Sequence, residues 1–203
     1  MAKGNTLGET ARDVKFLFEM GTLRHVARTW NQFGGLPLAN DAEHTFRTAM
    51  IAWFLAKQEG ADVGHVMKMA LVHDMSETRV GDVHYLSRLY VKRDEAGAVR
   101  DQTEGVSVGQ EMRELVEEYE ERETLAAKVL KDADMLDIEI ELMESIARGE
   151  FMGEIIHKKR AALREKLHTK TAKRFFDVIR VSNPHDWHTE GKNRFTAGDW
   201  KDV

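Results

Sequence analysis

Residues 41–58 read DAEHTFRTAMIAWFLAKQ, a stretch that predicts a helix with Asp41 as its N-cap. Its large apolar side chains recur at helical spacing and form one stripe: Phe46, Met50, Trp53 and Phe54. Another side of the same helix carries Ile51 and Leu55. A helix that is apolar around most of its circumference is typically buried. The sequence therefore predicts a buried helix, preceded by a loop over 31–40, which contains Pro37 and two glycines.

Helical periodicity extends outward from this stretch over most of the chain. A first helix is indicated by Val14, Leu17 and Phe18, and a third, capped by Asp62, is expected to end near Val80-Gly81. Further helices are predicted at about 106–119 and 124–148, with two more within 153–181. The charged stretch 87–103 is expected to be a mobile excursion, and the tail 184–203 to be irregular. The predicted fold class is all-α, a compact helical bundle.

The composition agrees with a helical bundle and limits its chemistry. A length of 203 residues suits a single domain over 1–203, and only two prolines interrupt a chain rich in helix-forming residues. The absence of cysteine excludes disulfides, cysteine-bound zinc and a cysteine nucleophile. Any metal ion must therefore be bound by His, Asp or Glu.

Charge and hydropathy bear on partners and location. The net charge of −5 comes from interspersed acids and bases without a long basic stripe, which argues against binding to duplex nucleic acid. The sequence shows no apolar run of membrane-spanning length and no signal peptide. We therefore expect a cytoplasmic protein that does not bind membranes. A small phosphorylated substrate remains compatible, because it needs only one or two local cations.

Three predicted helices carry residues able to bind a metal ion within apolar surroundings. His44 shares a face with Ile51 and Leu55, the pair His73-Asp74 lies late in the third helix, and Asp134 lies on the long helix. Taken singly, each has a structural explanation. A histidine on an apolar face is about three times more often a hydrogen-bonded core residue than a ligand, and the acids suit a solvated helix surface.

Together, these four residues point to a metal site. Burying an unpartnered polar group costs about 2–7 kcal/mol, and a shared divalent cation would offset that cost. Two imidazoles and two carboxylates form a suitable set of ligands for one divalent ion of Co, Mn, Fe, Ni, Mg or Zn, with open positions for water. A second metal ion would need further His or Asp ligands, and the nearest other imidazoles are those of His65 and His84. We therefore expect a single metal ion.

The spacing of these residues also resembles a known family. His44, His73-Asp74 and Asp134 match the H…HD…D pattern of the HD-domain metal-dependent phosphohydrolases. Adjacent residues extend the match toward the 5′-deoxyribonucleotidase branch: DAEHT at 41–45, MSE at 75–77, VGD at 80–82, KDADML at 131–136 and an arginine near a tryptophan at 28–30. The similarity covers about residues 10–150, which leaves the predicted C-terminal helices and tail, 151–203, outside it.

The resemblance implies an HD-type fold, a homodimer and hydrolysis of deoxyribonucleoside 5′-monophosphates to nucleoside and phosphate. His44, His73, Asp74 and Asp134 would bind the metal ion. Four further residues have implied roles: Glu77 in proton transfer, Asp82 near the sugar hydroxyl and in catalysis, and Arg28 and Trp30 at phosphate and sugar. In the branch arginine directly precedes tryptophan, whereas here Thr29 intervenes, which affects the predicted substrate contacts but not the metal site.

Alternatives remain open at two levels. Each of the four further residues also has a purely structural explanation. Glu77 could be an exposed glutamate near a helix end, and Asp82 could stabilise a turn. Arg28 could form a surface salt bridge, and Trp30 could be a core residue. The same ligand set serves HD-type phosphodiesterases and nucleoside polyphosphate hydrolases, and it also suits a non-catalytic module that binds a metal ion or nucleotide.

Overall fold

The computed structural model describes residues 7–34 and 38–190, and this part of the chain is α-helical without β-strands. None of its helices is both long enough and apolar enough to cross a bilayer. The helices have these bounds: α1 Leu7–Met20, α2 Asn31–Gly34, α3 Asp41–Glu59, α4 Val63–Val72, α5 Glu77–Val80, α6 Glu95–Thr103, α7 Gly109–Glu121, α8 Leu125–Ala147, α9 Phe151–Arg160, α10 Lys170–Ile179 and α11 Asp186–Thr189. Short 3-10 turns occupy Gly21–His25, Ser87–Leu89 and Ala161–Lys166.

The core forms where α8 packs against α3, α4, α7 and α10. Leu55 on α3 and Leu130 and Leu136 on α8 are fully buried at these contacts. Each such side chain contributes about 1.5–3 kcal/mol by leaving water. The predicted long helix is confirmed: Thr124 caps α8 by accepting a hydrogen bond from the Ala127 amide. The prediction of an all-α fold is therefore confirmed.

The helix that opened the sequence argument differs from its prediction in two respects. Its N-cap is Asn40, which forms a reciprocal capping box with Glu43. Asp41 is instead the first helical residue, and its side chain is completely buried. The apolar stripe that was predicted to be buried is exposed, because α8, α4 and α10 cover only the opposite side of α3. Hydrophobic periodicity identified the helix correctly but did not reveal which side is covered.

Other predicted segments also differ from the structure. The third helix, capped by Asp62 as expected, ends at Val72, and α5 follows after a tight turn. The stretch 87–103, predicted to be a mobile excursion, contains α6, in which Gln102 is fully buried. Its side-chain amide donates to the Met75 carbonyl and the Thr78 hydroxyl, so α6 packs on the turn that precedes α5. A charged segment is thus ordered by polar contacts that periodicity does not report.

Three smaller predictions also need correction. In α1 the buried residue is Phe16, while Val14, Leu17 and Phe18 are exposed. The predicted loop over 31–40 begins with the short helix α2, and 35–37 lie outside the described residues. The tail contains the short helix α11 before the description ends at residue 190, so the prediction for 191–203 lies outside the described residues.

Candidate metal centre and active site

The start of α3 brings two acid-base groups into the interior. The capping box at Asn40 fixes the first turn, and Asp41 and His44 are three positions apart, so both side chains lie on one face. That face points toward α8, and both residues are almost completely buried. A buried carboxylate and imidazole at a helix start require partners from other elements.

The turn between α4 and α5 brings a second group to the same place. Hydrogen bonds from the Met75 amide to the Val72 carbonyl and from the Glu77 amide to the Asp74 carbonyl hold this turn in a compact form. His73, Asp74 and Glu77 consequently line one cavity together. Gly81, which follows α5, has a φ of 71°, a conformation that side chains disfavour.

The four residues predicted to bind a metal ion converge in the structure. His44 Nε2 lies 3.3 Å from Asp134 Oδ1 and 3.4 Å from Asp74 Oδ2, and His73 Nε2 lies 3.1 Å from Asp74 Oδ2. One ligand atom from each of His44, His73 and Asp134 falls within 4.8 Å of the others. These residues come from α3, the α4–α5 turn and α8. We call the four residues His44, His73, Asp74 and Asp134 the histidine–aspartate cluster.

The far side of each imidazole is held by a hydrogen-bond acceptor. His44 Nδ1 lies 2.5 Å from Asp137 Oδ2, and His73 Nδ1 lies 2.8 Å from the Ala70 carbonyl oxygen. These acceptors favour a proton on each Nδ1, which leaves each Nε2 facing the carboxylates as a potential metal ligand. Neither buried Nε2 atom has a hydrogen-bond partner in the described part of the chain. Two orphaned imidazole nitrogens facing two carboxylates fit a divalent cation.

Charge coupling within the cluster points the same way. Burial opposes ionisation of Asp74, but the adjacent His73 and His44 hold its pKa well below the usual range. The pKa of Asp134 is also held low against burial, chiefly by Lys131 and His44. Burial alone would lower the pKa of His44, yet the nearby carboxylates of Asp134 and Asp137 raise it well above normal. The carboxylates thus attract positive charge, a proton on His44 or a bound cation.

A second acidic group lies beside the first. Asp41, Glu77 and Asp82 each offer a carboxylate oxygen within 4.8 Å of the others. Burial, followed by the nearby Asp74 and Asp41 carboxylates, raises the pKa of Glu77 to about 10. This shift favours the protonated carboxyl group of Glu77 at neutral pH. Its Oε2 atom is buried and has no hydrogen-bond partner among the described residues.

Arg28 and Arg93 bring positive charge to this second group, and Arg93 Nη1 lies 3.5 Å from Glu77 Oε1. The Nη1 atom of Arg28 lies 3.5 Å from Asp41 Oδ1 and 3.4 Å from Asp82 Oδ2, and the Arg28 side chain is only 8% exposed. Thr29, the residue that departs from the family pattern, donates to Asp82 Oδ2 from its amide at 3.1 Å and from its hydroxyl at 3.4 Å. The extra residue thus fixes Asp82 beside Arg28. Arg28 is buried, so the surface salt bridge considered for it is absent.

Both groups open into one cavity of about 660 Å³. Trp30, half-buried, lines its wall with Tyr85, whose ring centroid lies 5.9 Å away. Arginines line much of the remainder of the cavity: Arg28, Arg88, Arg93, Arg100, Arg113 and Arg122. An aromatic wall and a cationic lining suit a ligand that combines a flat ring system with phosphate.

Several residues of the centre were not singled out from the sequence. Tyr119 donates a hydrogen bond of 3.1 Å to Asp134 Oδ2, and Lys131 Nζ lies 2.7 Å from the same oxygen. Asp137 orients His44 and also accepts from Arg47. Asp137 and Lys131 lie one helical turn from Asp134, so helical spacing was an available signal. No sequence signal connects Tyr119 on α7 with a carboxylate on α8.

Comparisons with known proteins agree with this geometry. The family model described as "HD domain" matches residues 20–174. The 5′-deoxynucleotidase HDDC2 of Bos taurus is 31% identical over 144 residues, which cover 68% of this chain and 70% of that protein. The Dictyostelium discoideum protein of the same name is 30% identical over 144 residues, covering 64% of this chain and 76% of the relative.

Solved structures share the fold. A conserved hypothetical protein from Pyrococcus furiosus superposes with a TM-score of 0.70 at 26% identity, covering 82% of this chain and 98% of that one. A predicted metal-dependent phosphohydrolase from Magnetospirillum magnetotacticum superposes with a TM-score of 0.69 at 23% identity, covering 85% and 93%. The family match includes every element that contributes to the histidine–aspartate cluster. With its helical fold, its converging H…HD…D residues and this match, the chain belongs to the HD domain family.

Proposed function

We propose that this protein is a metal-dependent phosphohydrolase that removes the 5′-phosphate from nucleoside 5′-monophosphates, with deoxyribonucleotides as the leading substrates. The observation that carries the proposal is the pair of unpartnered Nε2 atoms of His44 and His73, which face Asp74 and Asp134 inside the cavity. The relatives named 5′-deoxynucleotidase support the substrate class.

In this proposal, His44, His73, Asp74 and Asp134 hold one divalent cation. A cation held there would supply Lewis-acid polarisation of the phosphoryl group and would acidify the attacking water. Imidazole and carboxylate ligands suit Co, Mn, Fe, Ni, Mg or Zn. Tyr119 and Lys131 hold Asp134 in place from the opposite side.

Glu77 is the proposed acid. A nucleoside alkoxide is a poor leaving group, so its departure requires a proton from a nearby group. Burial and the adjacent carboxylates raise the pKa of Glu77 to about 10, which favours the protonated form that an acid requires. Glu77 begins α5, directly after the turn that carries His73 and Asp74, and it lines the same cavity as these two residues.

Arg28, Asp82 and Trp30 are the proposed substrate contacts. Arg28 presents a planar fork of donors suited to phosphate oxygens, and its buried Nε atom has no partner in the described residues. Asp82 sits beside it, held by Thr29, where it can accept a hydrogen bond from a sugar hydroxyl. Trp30 forms the wall against which sugar or base packs.

The direct test is release of inorganic phosphate by chelator-treated protein after addition of Co²⁺ or Mn²⁺. The substrates are dAMP, dGMP, dCMP and their ribonucleotide counterparts, beside a nucleoside triphosphate and a cyclic dinucleotide. We expect monophosphates to be hydrolysed only when metal is present. Cleavage of the triphosphate or the cyclic dinucleotide alone would establish the polyphosphate hydrolase or phosphodiesterase alternative.

A variant separates catalysis from binding. Glu77→Gln should bind Mn²⁺ like the wild type while turnover falls about 10²- to 10⁴-fold, the usual contribution of a positioned acid. Unchanged turnover would remove Glu77 from the mechanism. If wild type and variant both bind metal and nucleotide without hydrolysing any substrate, the non-catalytic alternative stands.

Organisation and location belong to the same proposal. We propose one HD-type domain over 1–203, a cytoplasmic location and a homodimer. The family match over 20–174 supports the single domain, and the resemblance to the nucleotidase branch supports the dimer. Gel filtration with light scattering measures the assembly state directly.

A further inference from the structure

The outer side of α3 is an apolar surface that no described element covers. Phe46 is 69% exposed, Met50 36%, Trp53 50% and Phe54 56%. Single exposed apolar residues are common on protein surfaces, but a contiguous row of four large ones usually marks a contact surface. We call these four residues, with Glu43 and Lys57 at the two ends of the row, the outer face of α3.

The outer face has the spacing of a helix–helix seam. Five of its six residues follow one another along the helix at alternating intervals of three and four positions: Glu43, Phe46, Met50, Trp53 and Lys57. Such a heptad pattern keeps one side of a helix against a neighbouring helix along its length. The remaining apolar residue, Phe54, adjoins this seam. The pattern therefore suits another helix as the occupant rather than a loop or small ligand.

The outer face is also complementary to itself. In an antiparallel pair of α3 helices with a two-fold axis at Met50, each position preceding the axis meets the position equally far beyond it. Phe46 then meets Phe54 of the other copy, and Glu43 meets Lys57. A parallel pair would instead place Glu43 against Glu43 and Lys57 against Lys57, which electrostatic repulsion disfavours. Contacts of this reciprocal kind are the rule for two-fold dimers.

The surrounding surface supplies additional area. The four apolar side chains together expose about 400 Å², estimated from a total area of about 200 Å² for an aromatic side chain, so two copies fall short of a standard interface of about 1,200–2,000 Å². A groove of about 670 Å³ adjoins the row, with walls that include Phe46, Met50, Arg24 and Arg148. In the antiparallel arrangement the other copy's Phe54 lies opposite Phe46 and can enter this groove.

We propose that the outer face of α3 is the contact surface of a homodimer, in which two α3 helices pack antiparallel around a two-fold axis at Met50. The proposal concerns the surface and its register, and it does not depend on the reaction. No residue of the row belongs to the histidine–aspartate cluster or to the proposed substrate contacts. The surface and its register rest on the proposed homodimer, so a monomeric wild type would overturn both, whereas the proposed hydrolase activity would stay intact.

The first test is sedimentation equilibrium of the full chain. The wild type should be dimeric, whereas Met50→Glu, which places two like charges at the axis, should be monomeric with an unchanged circular dichroism spectrum. The matched control is Leu71→Glu, since Leu71 is a 62% exposed apolar residue on α4. This control should remain dimeric. A monomeric wild type, or a dimeric Met50→Glu, would overturn the proposal.

Two further variants test the antiparallel register. Glu43→Lys and Lys57→Glu should each raise the dimer dissociation constant, and the double exchange should restore it because opposite charges again meet. The chain has no cysteine, so Met50→Cys introduces a single thiol. Mild oxidation should cross-link it efficiently if two copies of residue 50 face each other, while Leu71→Cys should remain uncross-linked. No rescue by the double exchange, together with equal cross-linking of both cysteine variants, would exclude this register.

Discussion

At the scale of single residues, the centre depends on how His44 is held. Its Nδ1 atom is bound to Asp137, which leaves Nε2 available toward Asp74 and Asp134. A group that hydrogen-bonds to a metal ligand on the side away from the ion typically raises the metal affinity 10- to 100-fold. The same carboxylates raise the pKa of His44, so protonation of its Nε2 atom competes with cation binding. Metal binding should accordingly release protons.

Replacing the carboxylate behind His44 tests this arrangement. Asp137→Asn keeps the shape of the side chain but removes the negative charge, and we expect the Mn²⁺ dissociation constant to rise about 10- to 100-fold. Isothermal titration calorimetry measures it. Glu144→Gln is the matched control, because Glu144 is the other acidic partner of Arg47 and does not contact His44. Equal affinities for both variants and the wild type would show that Asp137 has no orienting role.

Glu77 gives a pH-dependent prediction for the metal-free protein. Its pKa is about 10 in the folded state, against a reference of 4.5. Below about pH 4.5 both the folded and the unfolded chain hold the proton, so Glu77 does not lower the free energy of unfolding there. As the pH rises toward 10 the unfolded chain releases its proton and the folded chain does not, so stability declines. Glu77→Gln cannot titrate and should lack this part of the decline.

Thermal unfolding at several pH values measures the difference. Between about pH 5 and about pH 9, the melting temperature of chelator-treated wild type should fall more than that of Glu77→Gln. Both proteins keep every other titratable side chain, so the difference between the two sets of melting temperatures reports the replacement of Glu77. Parallel melting curves over this range would mean that Glu77 is ionised in the folded protein, which would remove the acid from the mechanism.

At the scale of helices, the first turn of α3 connects stability with the site. Asn40 caps a helix whose first residue, Asp41, belongs to the acidic group with Glu77 and Asp82. The fourth residue of the helix, His44, belongs to the histidine–aspartate cluster. Removal of such a cap costs about 1 kcal/mol. The helix start also fixes the position of both side chains. Loss of the cap should therefore weaken metal binding as well as folding.

Asn40→Ala should lower the free energy of unfolding by about 1 kcal/mol and also lower Mn²⁺ affinity. Asp62→Ala is the matched control, since Asp62 caps α4 in the same way but lies eleven residues before His73. It should lose similar stability while keeping the metal affinity. Urea denaturation and calorimetry on both variants provide the comparison. If the two variants lose equal metal affinity, the cap acts only through global stability.

At the scale of the molecule, the sequence identified the fold class and the four converging residues but not their surroundings. His44, His73-Asp74 and Asp134 were recognisable because each belongs to a short local motif. Tyr119 was not, since its partner lies on another helix and sequence spacing does not report contacts between helices.

Two segments were predicted incorrectly for related reasons. The apolar stripe of α3 predicted burial, but amphipathic pattern records which residues are apolar and not what lies against them. Segment 87–103 was expected to be mobile because of its charge, yet Gln102 anchors it through specific hydrogen bonds. Packing between helices decides both outcomes. Hydrophobic patterns along one helix therefore predicted where helices lie more reliably than which segments pack against them.

The central claim is that one divalent cation binds between α3, the α4–α5 turn and α8. Its most direct test is an anomalous difference map from crystals of the protein grown with Mn²⁺. We predict one strong peak per chain at coordination distance, about 2.0–2.3 Å, from His44 Nε2, His73 Nε2 and oxygens of Asp74 and Asp134. A peak only at Asp41, Glu77 and Asp82, or no peak under saturating Mn²⁺, would contradict the account.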